Sequence, residues 1–217
     1  MSRRRSRGSR LTPASPALPA PRAGVGWSVG VLLLATALVY ANSLSGPFIF
    51  DDRASILENA SIRTWSADVL SPAREVPTAG RPVVNLSLAI NFALGGFDVR
   101  GYHLWNIAMH LLCTTLLFGC VRRTLEMPRI PHAVQQRSIG LAFAAALLWA
   151  LHPLNTEVVD YVTERSESMM ALCYLLTLYA SVRAIGSPRP RRWHAVAVTA
   201  AVCHRHGRGE PNARVAA

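Results

Sequence analysis

Long uncharged stretches alternate with short Arg-bearing segments along most of this chain. No Asp, Glu, Lys or Arg occurs between Ala23 and Phe50, nor within Gly101–Val121, Ser138–Thr156 or Ser168–Val182. A helix of roughly 20 apolar residues is about 30 Å long, which is enough to cross the hydrocarbon core of a bilayer. The pattern therefore predicts membrane-spanning helices at about 25–44, 102–121, 138–152 and 166–182, and an incomplete fifth span at 193–203.

The segment between the first two predicted spans, residues 45–101, is too long for a plain connector. A short helix is predicted at 54–62. The apolar stretch Val83–Leu94 would be only about 18 Å long as a helix, so it is expected to lie along the membrane surface. The predicted fold class is an all-α polytopic membrane protein whose long outer first loop carries short interfacial helices.

The Arg residues flank the predicted spans unevenly. They are concentrated in the N-terminal tail, after the second span and after the fourth span, whereas the segment between the third and fourth spans has only Arg165. Because cytoplasmic loops carry an excess of Arg and Lys, the tail is predicted to be cytoplasmic. Residues 45–100 and 152–164 are then predicted to face outward.

Composition and charge narrow the class of protein further. Of the 217 residues, 51% are apolar and 16% are charged, which excludes an intrinsically disordered chain, and four Cys are too few for a disulfide scaffold. The net charge of +11 comes from Arg residues that flank spans. It is therefore a topology signal, and no nucleic-acid partner is expected.

The two ends of the chain differ from its middle. Residues 1–23 are rich in Arg and Pro and are predicted to be a disordered cytoplasmic tail, followed by a partial transmembrane domain over 24–203. Residues 204–217 are atypical of a span, which indicates either a naturally short chain or a fragment or frameshifted product of something longer. An alternative for the first span is a signal peptide cleaved near Ala41.

Asp51 and Asp52 are the first candidates for chemistry. Two adjacent carboxylates at the outer membrane face could accept a proton from a hydroxyl nucleophile or hold a divalent cation. The alternative is structural: Asp52 would cap a helix that begins near Ala54, and Asp51 would be solvated.

A polar stripe on the second predicted span is the next candidate. His103, Asn106 and His110 share one helical face because they are three and seven residues apart. Polar side chains within a span mark functional sites or hydrogen-bond neighbouring helices. We expect a functional role for His103 and a structural one for His110.

Two Arg residues at the predicted outer face could belong to a binding site or to the membrane interface, and the sequence favours neither. Arg81 and Arg165 could each bind a lipid phosphate or extend to the lipid headgroups. Asn59 and Asn85 lie in Asn-X-Ser patterns on the predicted outer side, which are weak candidates for N-glycosylation.

Four motifs in order along residues 27–185 resemble the membrane portion of the transmembrane and tetratricopeptide-repeat protein O-mannosyltransferase family, within the GT-C glycosyltransferases. The motifs are Phe50-Asp51-Asp52 with Ile56 and Asn59, Gly80-Arg81-Pro82-Val83 with Leu86 and Asn91, Gly101-Tyr102-His103-Leu104-Trp105-Asn106 with His110, and His152-Pro153-Leu154-Asn155-Thr156-Glu157-Val158-Val159 with Arg165. A bacterial relative, truncated before the repeat region, is expected.

The resemblance implies a GT-C-like fold and a specific chemistry. It implies a membrane glycosyltransferase that transfers mannose or another hexose from a polyprenyl- or dolichyl-phosphate donor to a hydroxyl acceptor, such as protein Ser or Thr, on the non-cytoplasmic face. Asp51 or Asp52 would be the catalytic base, with any divalent cation bound at the same pair. The residues implied around the donor are Arg81, His103, His152 and Arg165, with Tyr102, Asn106 and Glu157 in support.

The partners implied are the lipid-linked sugar, the membrane and an acceptor protein or glycan. The membrane would be the inner membrane of a bacterium or the endoplasmic reticulum of a eukaryote. The alternative function is that of a non-catalytic membrane anchor or scaffold belonging to a tetratricopeptide-repeat protein.

Overall fold

The computed structural model describes residues 22–185 and 187–207, and every regular element among them is helical. The prediction of an all-α chain is therefore confirmed for these residues. The eight α-helices are α1 (Arg22–Val39), α2 (Pro82–Gly95), α3 (Val99–Leu125), α4 (His132–Gln135), α5 (Ser138–Ala150), α6 (Asn155–Asp160), α7 (Arg165–Ile185) and α8 (Pro190–Gly207).

Two helical stretches, Val99–Leu125 and Val162–Ile185, are long and apolar enough to cross a membrane. They contain the spans predicted at 102–121 and 166–182. The regions predicted as the first and third spans form shorter apolar helices, because α1 ends at Val39 before a 3₁₀ turn and α5 has 13 residues. Crossing of the membrane by α1 and α5 stays a prediction.

Helix α3 lies at the centre of the bundle and contacts α1, α5 and α7. Leu32 of α1 and Phe118 of α3 pack against Ala142 and Ala146 of α5, and all four side chains are buried. Small side chains four residues apart allow α5 to approach closely. Gly119 has a similar role towards α7, because a Cβ atom at this position would lie 2.7 Å from the Tyr179 ring.

Helices α3 and α7 run in the same direction. Near their first turns, Arg165 donates a hydrogen bond to the carbonyl of Tyr102. Near their last turns, the Arg123 guanidinium lies over the ring of Tyr179. The Arg-rich ends of the two helices are therefore at the same end of the bundle, opposite the candidate site.

The segment between α1 and α3 folds onto the first turns of α3 around its own apolar core. The core side chains are Ile56, Ile62, Val69, Leu88, Ala89, Tyr102 and Val162. The helix predicted at 54–62 is instead a π-helical turn, Arg53–Leu57, followed by a 3₁₀ turn, Ala60–Ile62. Helix α2 buries one face against this core and leaves Val83 and Leu94 exposed.

The predictions for the chain ends are only partly covered by the described residues. Residues 1–21 and 208–217 lie outside them. Arg22 and Ala23, which were predicted to belong to the disordered tail, begin α1. Helix α8 includes 193–203 and ends at Gly207, so the first four residues of the segment predicted as atypical are helical.

Candidate functional site

The two adjacent carboxylates have opposite environments. Asp52 is 0% exposed: its Oδ1 accepts hydrogen bonds from the backbone N–H and the hydroxyl of Thr163, both at 2.7 Å, and its Oδ2 accepts one from the Ile49 N–H at 3.2 Å. Asp51 is exposed. The Asp52 side chain makes no capping hydrogen bond to the turn that follows, so the helix-cap alternative is wrong for Asp52.

The backbone just before this pair has an unusual conformation. Phe50 has a φ of 44°, which is uncommon for a residue with a side chain and costs conformational energy. The N–H of Asp51 donates to the Tyr161 hydroxyl at 2.9 Å, and the Phe50 and Tyr161 rings meet edge to face. Burial raises the pKa of Tyr161, and its hydroxyl oxygen accepts this bond.

Charged side chains around Asp51 form a rim on the same surface. Glu164 interacts electrostatically with Glu167 on α7, and also with Glu157, Arg81 and Asp51. Arg81 is half-buried and donates from Nη1 to the Ser166 hydroxyl at 2.9 Å. We define Asp51, Arg81, Glu157 and Glu164 as the outer rim, a surface where one cation lies among three carboxylates.

Arg165 is enclosed beneath this surface. Its side chain is 0% exposed, which contradicts the expectation that it extends to lipid headgroups. Nη1 donates to Asn91 Oδ1 at 2.8 Å and to Ser87 Oγ at 3.2 Å, and the guanidinium lies 5.6 Å from the Tyr102 ring centroid. Among the described residues it has no carboxylate within ion-pair distance, although it interacts electrostatically with Asp52.

His103 occupies a buried position next to a second carboxylate. Its Nε2 lies 3.0 Å from the carbonyl oxygen of Gly46, and its Nδ1 is buried without a partner in the described chain. Asp160 interacts electrostatically with His103. Burial raises the pKa of Asp160, and the neighbouring His103 and Ser43 side chains oppose that shift.

Three other polar side chains of α3 make hydrogen bonds to neighbouring segments. Asn106 donates from Nδ2 to the carbonyl of Tyr161 at 3.1 Å, and the Tyr102 hydroxyl donates to the carbonyl of Gly96 at 2.9 Å. His110 Nε2 lies 3.0 Å from the carbonyl oxygen of Ala150, which links α3 to α5. The expected structural role of His110 agrees with this geometry.

Of the other predicted site residues, three lie in the outer rim and His152 lies apart from it. Asp51, Arg81 and Glu157 come together in the outer rim. His152 is exposed, and its Nδ1 accepts a hydrogen bond from the Leu154 N–H at 3.2 Å. No hydrogen bond or ion pair in the described chain joins His152 to the outer rim.

Sequence reasoning missed Thr163 and Ser166, and it included Tyr161 in the outer segment without assigning it a contact. Thr163 binds the Asp52 carboxylate, Tyr161 accepts a hydrogen bond from the backbone N–H of Asp51, and Ser166 holds Arg81. Their only signal was proximity to Arg165 in sequence, which indicates nothing about a partner more than 80 residues away.

The two candidate glycosylation sites have structural roles in this fold. Asn59 and Asn85 are 3% and 0% exposed, and Asn59 donates to Asn85 Oδ1 at 2.9 Å. Asn85 also donates to the Val69 carbonyl at 2.8 Å. A glycan on either buried amide would disrupt this network, so the glycosylation prediction is wrong for this fold.

The residues present do not assemble a metal site. Within the described residues, no three His, Cys, Asp or Glu side chains are grouped so that they could hold an ion. Both oxygens of Asp52 already accept hydrogen bonds from the protein. The expected divalent cation at Asp51 or Asp52 stays a prediction.

Comparison with known proteins found similar sequences with consistent names. The chain is 32% identical over 176 residues to protein O-mannosyl-transferase Tmtc2 of Drosophila melanogaster, a match that covers 75% of this chain and 18% of that protein. It is 31% identical to mouse protein O-mannosyl-transferase TMTC4, over 70% of this chain and 22% of the relative. It is 29% identical to human protein O-mannosyl-transferase TMTC1, over 77% of this chain and 20% of the relative.

The chain thus spans about a fifth of the length of the curated relatives that it matches. No family model matches it, and no solved structure does.

Proposed function

Since the chain belongs to the TMTC family of protein O-mannosyl-transferases, we propose that it forms part of a membrane glycosyltransferase that transfers mannose or another hexose to protein hydroxyl groups. We propose a multi-pass, GT-C-like arrangement in which α1, α3, α5 and α7 cross the membrane and the outer rim faces the non-cytoplasmic side. The donor would be a polyprenyl- or dolichyl-phosphate sugar. The surrounding membrane would be a bacterial inner membrane or the endoplasmic reticulum.

One observation carries the assignment of roles: Asp51 is exposed, whereas Asp52 is buried and already accepts three hydrogen bonds. A general base must come within hydrogen-bond reach of the proton that it removes. Asp51 can meet an acceptor hydroxyl at the surface, and Asp52 cannot. We therefore assign the catalytic carboxylate to Asp51 and a positioning role to Asp52, which ties the Asp51 turn to Thr163.

The reaction would be a single displacement at the anomeric carbon. Asp51 accepts the proton of the acceptor hydroxyl while the hydroxyl oxygen forms its bond to that carbon. The bond from the anomeric carbon to the phosphate oxygen breaks, and its electron pair leaves on the lipid phosphate. Attack from the opposite face inverts the anomeric configuration, unlike the two-step retaining route.

The cations have different access to that phosphate. Arg81 is half-buried, and one of its amino groups is held by Ser166, so the rest of the guanidinium can meet a phosphate at the surface. Arg165 is fully enclosed and would act at a distance, as a fixed positive charge under the site. His152 and Glu157 are exposed and would contact the donor from the surface, whereas His103, Tyr102 and Asn106 are buried and would support the site from beneath.

The experiment is a donor assay on membranes that carry the full chain. Photo-crosslinking to a polyprenyl-phosphate mannose analogue measures donor capture, and transfer of radiolabelled mannose to an acceptor protein measures chemistry. We expect Arg81→Gln to reduce capture about tenfold, the effect of losing one charge-assisted contact. We expect Asp51→Asn to leave capture intact and abolish transfer.

Asp68→Asn is the matched control, because Asp68 is an exposed carboxylate of the same outer segment that lies outside the outer rim. Equal transfer by wild type and Asp51→Asn would contradict the proposed base. Absence of donor capture by wild-type chain in membranes would favour the alternative, a non-catalytic anchor or scaffold.

A further inference from the structure

A cavity of about 470 Å³ lies at the Arg-rich end of the bundle, between the last turn of α3 and the connection from α7 to α8. Its walls include Arg123, Glu126, Met127, Val182, Arg183 and Ile185. The volume is in the range of sites that bind small molecules. No part of the outer rim contributes to this cavity, which is at the opposite end of α3.

Two guanidinium groups are held in place at the wall of the cavity by aromatic rings. Arg183 lies 4.5 Å from the centroid of the Trp193 ring, and Arg123 lies 5.9 Å from that of Tyr179. The two rings pack against each other with centroids 6.1 Å apart. Stacking on aromatic faces reduces the freedom of both Arg side chains before any ligand arrives.

Both guanidinium groups have hydrogen-bonding capacity that the protein does not use. The Nε atoms of Arg123 and Arg183 are buried and have no partner in the described part of the chain. The one carboxylate in the wall, Glu126, forms an ion pair with Arg122 at 2.8 Å. Arg123 and Arg183 therefore leave the wall of the cavity with a net positive charge.

We propose that this cavity binds the phosphate headgroup of an anionic phospholipid. Two guanidinium groups match the oxygens of a phosphate, and basic pockets between membrane helices on the cytoplasmic side bind anionic headgroups. The exposed face of Ile185, together with Met127 and Val182, offers apolar surface for the adjoining lipid chain. Inorganic phosphate has no apolar part that could contact that surface.

This inference rests on the proposed membrane insertion of α3 and α7, but not on sugar transfer or on the outer rim. The two proposals can therefore fail separately. Loss of lipid binding would leave donor capture unchanged, and loss of donor capture would leave lipid binding unchanged.

The test is lipid binding by the purified full chain in nanodiscs. Discs of phosphatidylcholine alone are compared with discs that contain phosphatidylglycerol, and bound lipid is counted by native mass spectrometry after release. We expect wild type to retain phosphatidylglycerol. We expect Arg123→Gln/Arg183→Gln to weaken that retention about tenfold.

The matched control is Arg129→Gln/Arg191→Gln, which removes the same charge from two exposed Arg residues that do not line the cavity. Equal loss in the control would overturn the proposal, because it would show general attraction to an anionic surface. Arg123→Lys/Arg183→Lys keeps both charges but lacks the planar guanidinium donors that bind two oxygens at once. This variant replaces the Gln variant in the test if the Gln variant does not fold. Partial retention by this Lys variant would support the site, and full retention would overturn it.

Inorganic phosphate distinguishes the two sources of the same chemistry. Inorganic phosphate is added at roughly a tenfold excess over the lipid, so that it competes for the same site. We expect phosphatidylglycerol to stay bound. Displacement by phosphate would overturn the lipid assignment and indicate a soluble anion instead.

Discussion

Asp51 and Asp52 are neighbours in sequence, but substitution to Asn should affect them in different ways. In Asp52→Asn, an amide N–H₂ replaces one oxygen that now accepts a hydrogen bond, so it must face a backbone donor from Ile49 or Thr163. We expect this to reduce the free energy of unfolding by about 1.5–3 kcal/mol, the value of hydrogen bonds to a charged group. Chemical unfolding in detergent measures it.

Asp51→Asn should change the same free energy by less than about 0.5 kcal/mol, because the side chain is exposed. Thr163→Val removes one donor to Asp52 and should reproduce part of the Asp52→Asn loss. Similar stability of the Asp51 and Asp52 variants would mean that the buried contacts of Asp52 contribute little to the fold.

Asp160 should make stability depend on pH. Burial raises the pKa of Asp160 above its ordinary value of 3.8, so the folded state favours the protonated carboxyl. For a raised carboxyl pKa, the stabilising contribution is complete below pH 3.8 and is lost as the pH rises through the folded-state value. At neutral pH the ionised carboxylate is therefore a cost to the folded chain.

Replacing Asp160 with Asn removes that cost at every pH. We expect Asp160→Asn to unfold at a higher temperature than wild type at pH 7, and the difference to shrink as the pH falls towards 4. Thermal unfolding across pH 4–7 measures it, with Glu58→Gln, an exposed carboxyl of the outer segment, as control. A constant difference across that range would contradict a titrating group at Asp160.

The outer segment depends on one buried amide in α2. Asn85 accepts hydrogen bonds from Asn59 and Thr78 and donates to Ser61 and to the Val69 carbonyl. Asn85→Ala would leave several buried polar groups without partners, each of which costs about 1–3 kcal/mol. We expect local unfolding of residues 45–81 while the helical bundle remains.

Limited trypsin digestion measures that local unfolding, since Arg74 offers an exposed cleavage site within the segment. Cleavage of Asn85→Ala should be at least about tenfold faster than that of wild type, because opening costs less free energy. Asn42→Ala changes an exposed Asn just before the segment and should behave as wild type. Unchanged cleavage of Asn85→Ala would show that the apolar core alone holds the segment.

The sequence predicted some of these elements and not others, for physical reasons. Helices α3 and α7 contain the predicted spans because long uncharged runs are a strong, local signal. The turns at Arg53–Leu57 and Ala60–Ile62 are too short to carry a periodic pattern. The polar face of α2 was also misread, since Asn85 in an Asn-X-Ser pattern looks like a surface residue until its partners are known.

The candidate site was predictable in its residue types but not in its geometry. Asp51, Arg81 and Arg165 stood out because charges near the ends of apolar runs are costly and therefore informative. Which carboxylate is buried depends on Thr163, 111 residues from Asp52, and no local pattern encodes that contact. Likewise, Arg165 is enclosed by Ser87 and Asn91, which belong to α2.

The contacts between distant segments also determine which parts of the chain share one side of a membrane. Asp52 touches Thr163, so the outer segment and the α6–α7 connection lie together, and Arg123 and Tyr179 lie together at the other end. Helix α3 has 27 residues and is therefore about 40 Å long, longer than a hydrocarbon core. If α3 spans the membrane, these two groups of residues face opposite compartments.

Cysteine labelling in intact bacterial cells that express the chain tests this arrangement. In a chain whose four Cys are replaced by Ala, we expect Glu58→Cys and His152→Cys to react with an impermeant maleimide, and Arg129→Cys to react only after permeabilisation. All three positions are exposed, so reactivity reports the side of the membrane and not burial. Labelling of all three from outside would contradict a membrane-spanning α3, and the reverse pattern would keep α3 as a span but invert the proposed orientation. Protection of His152→Cys alone would mean that α5, with its 13 residues, does not bring the chain back across.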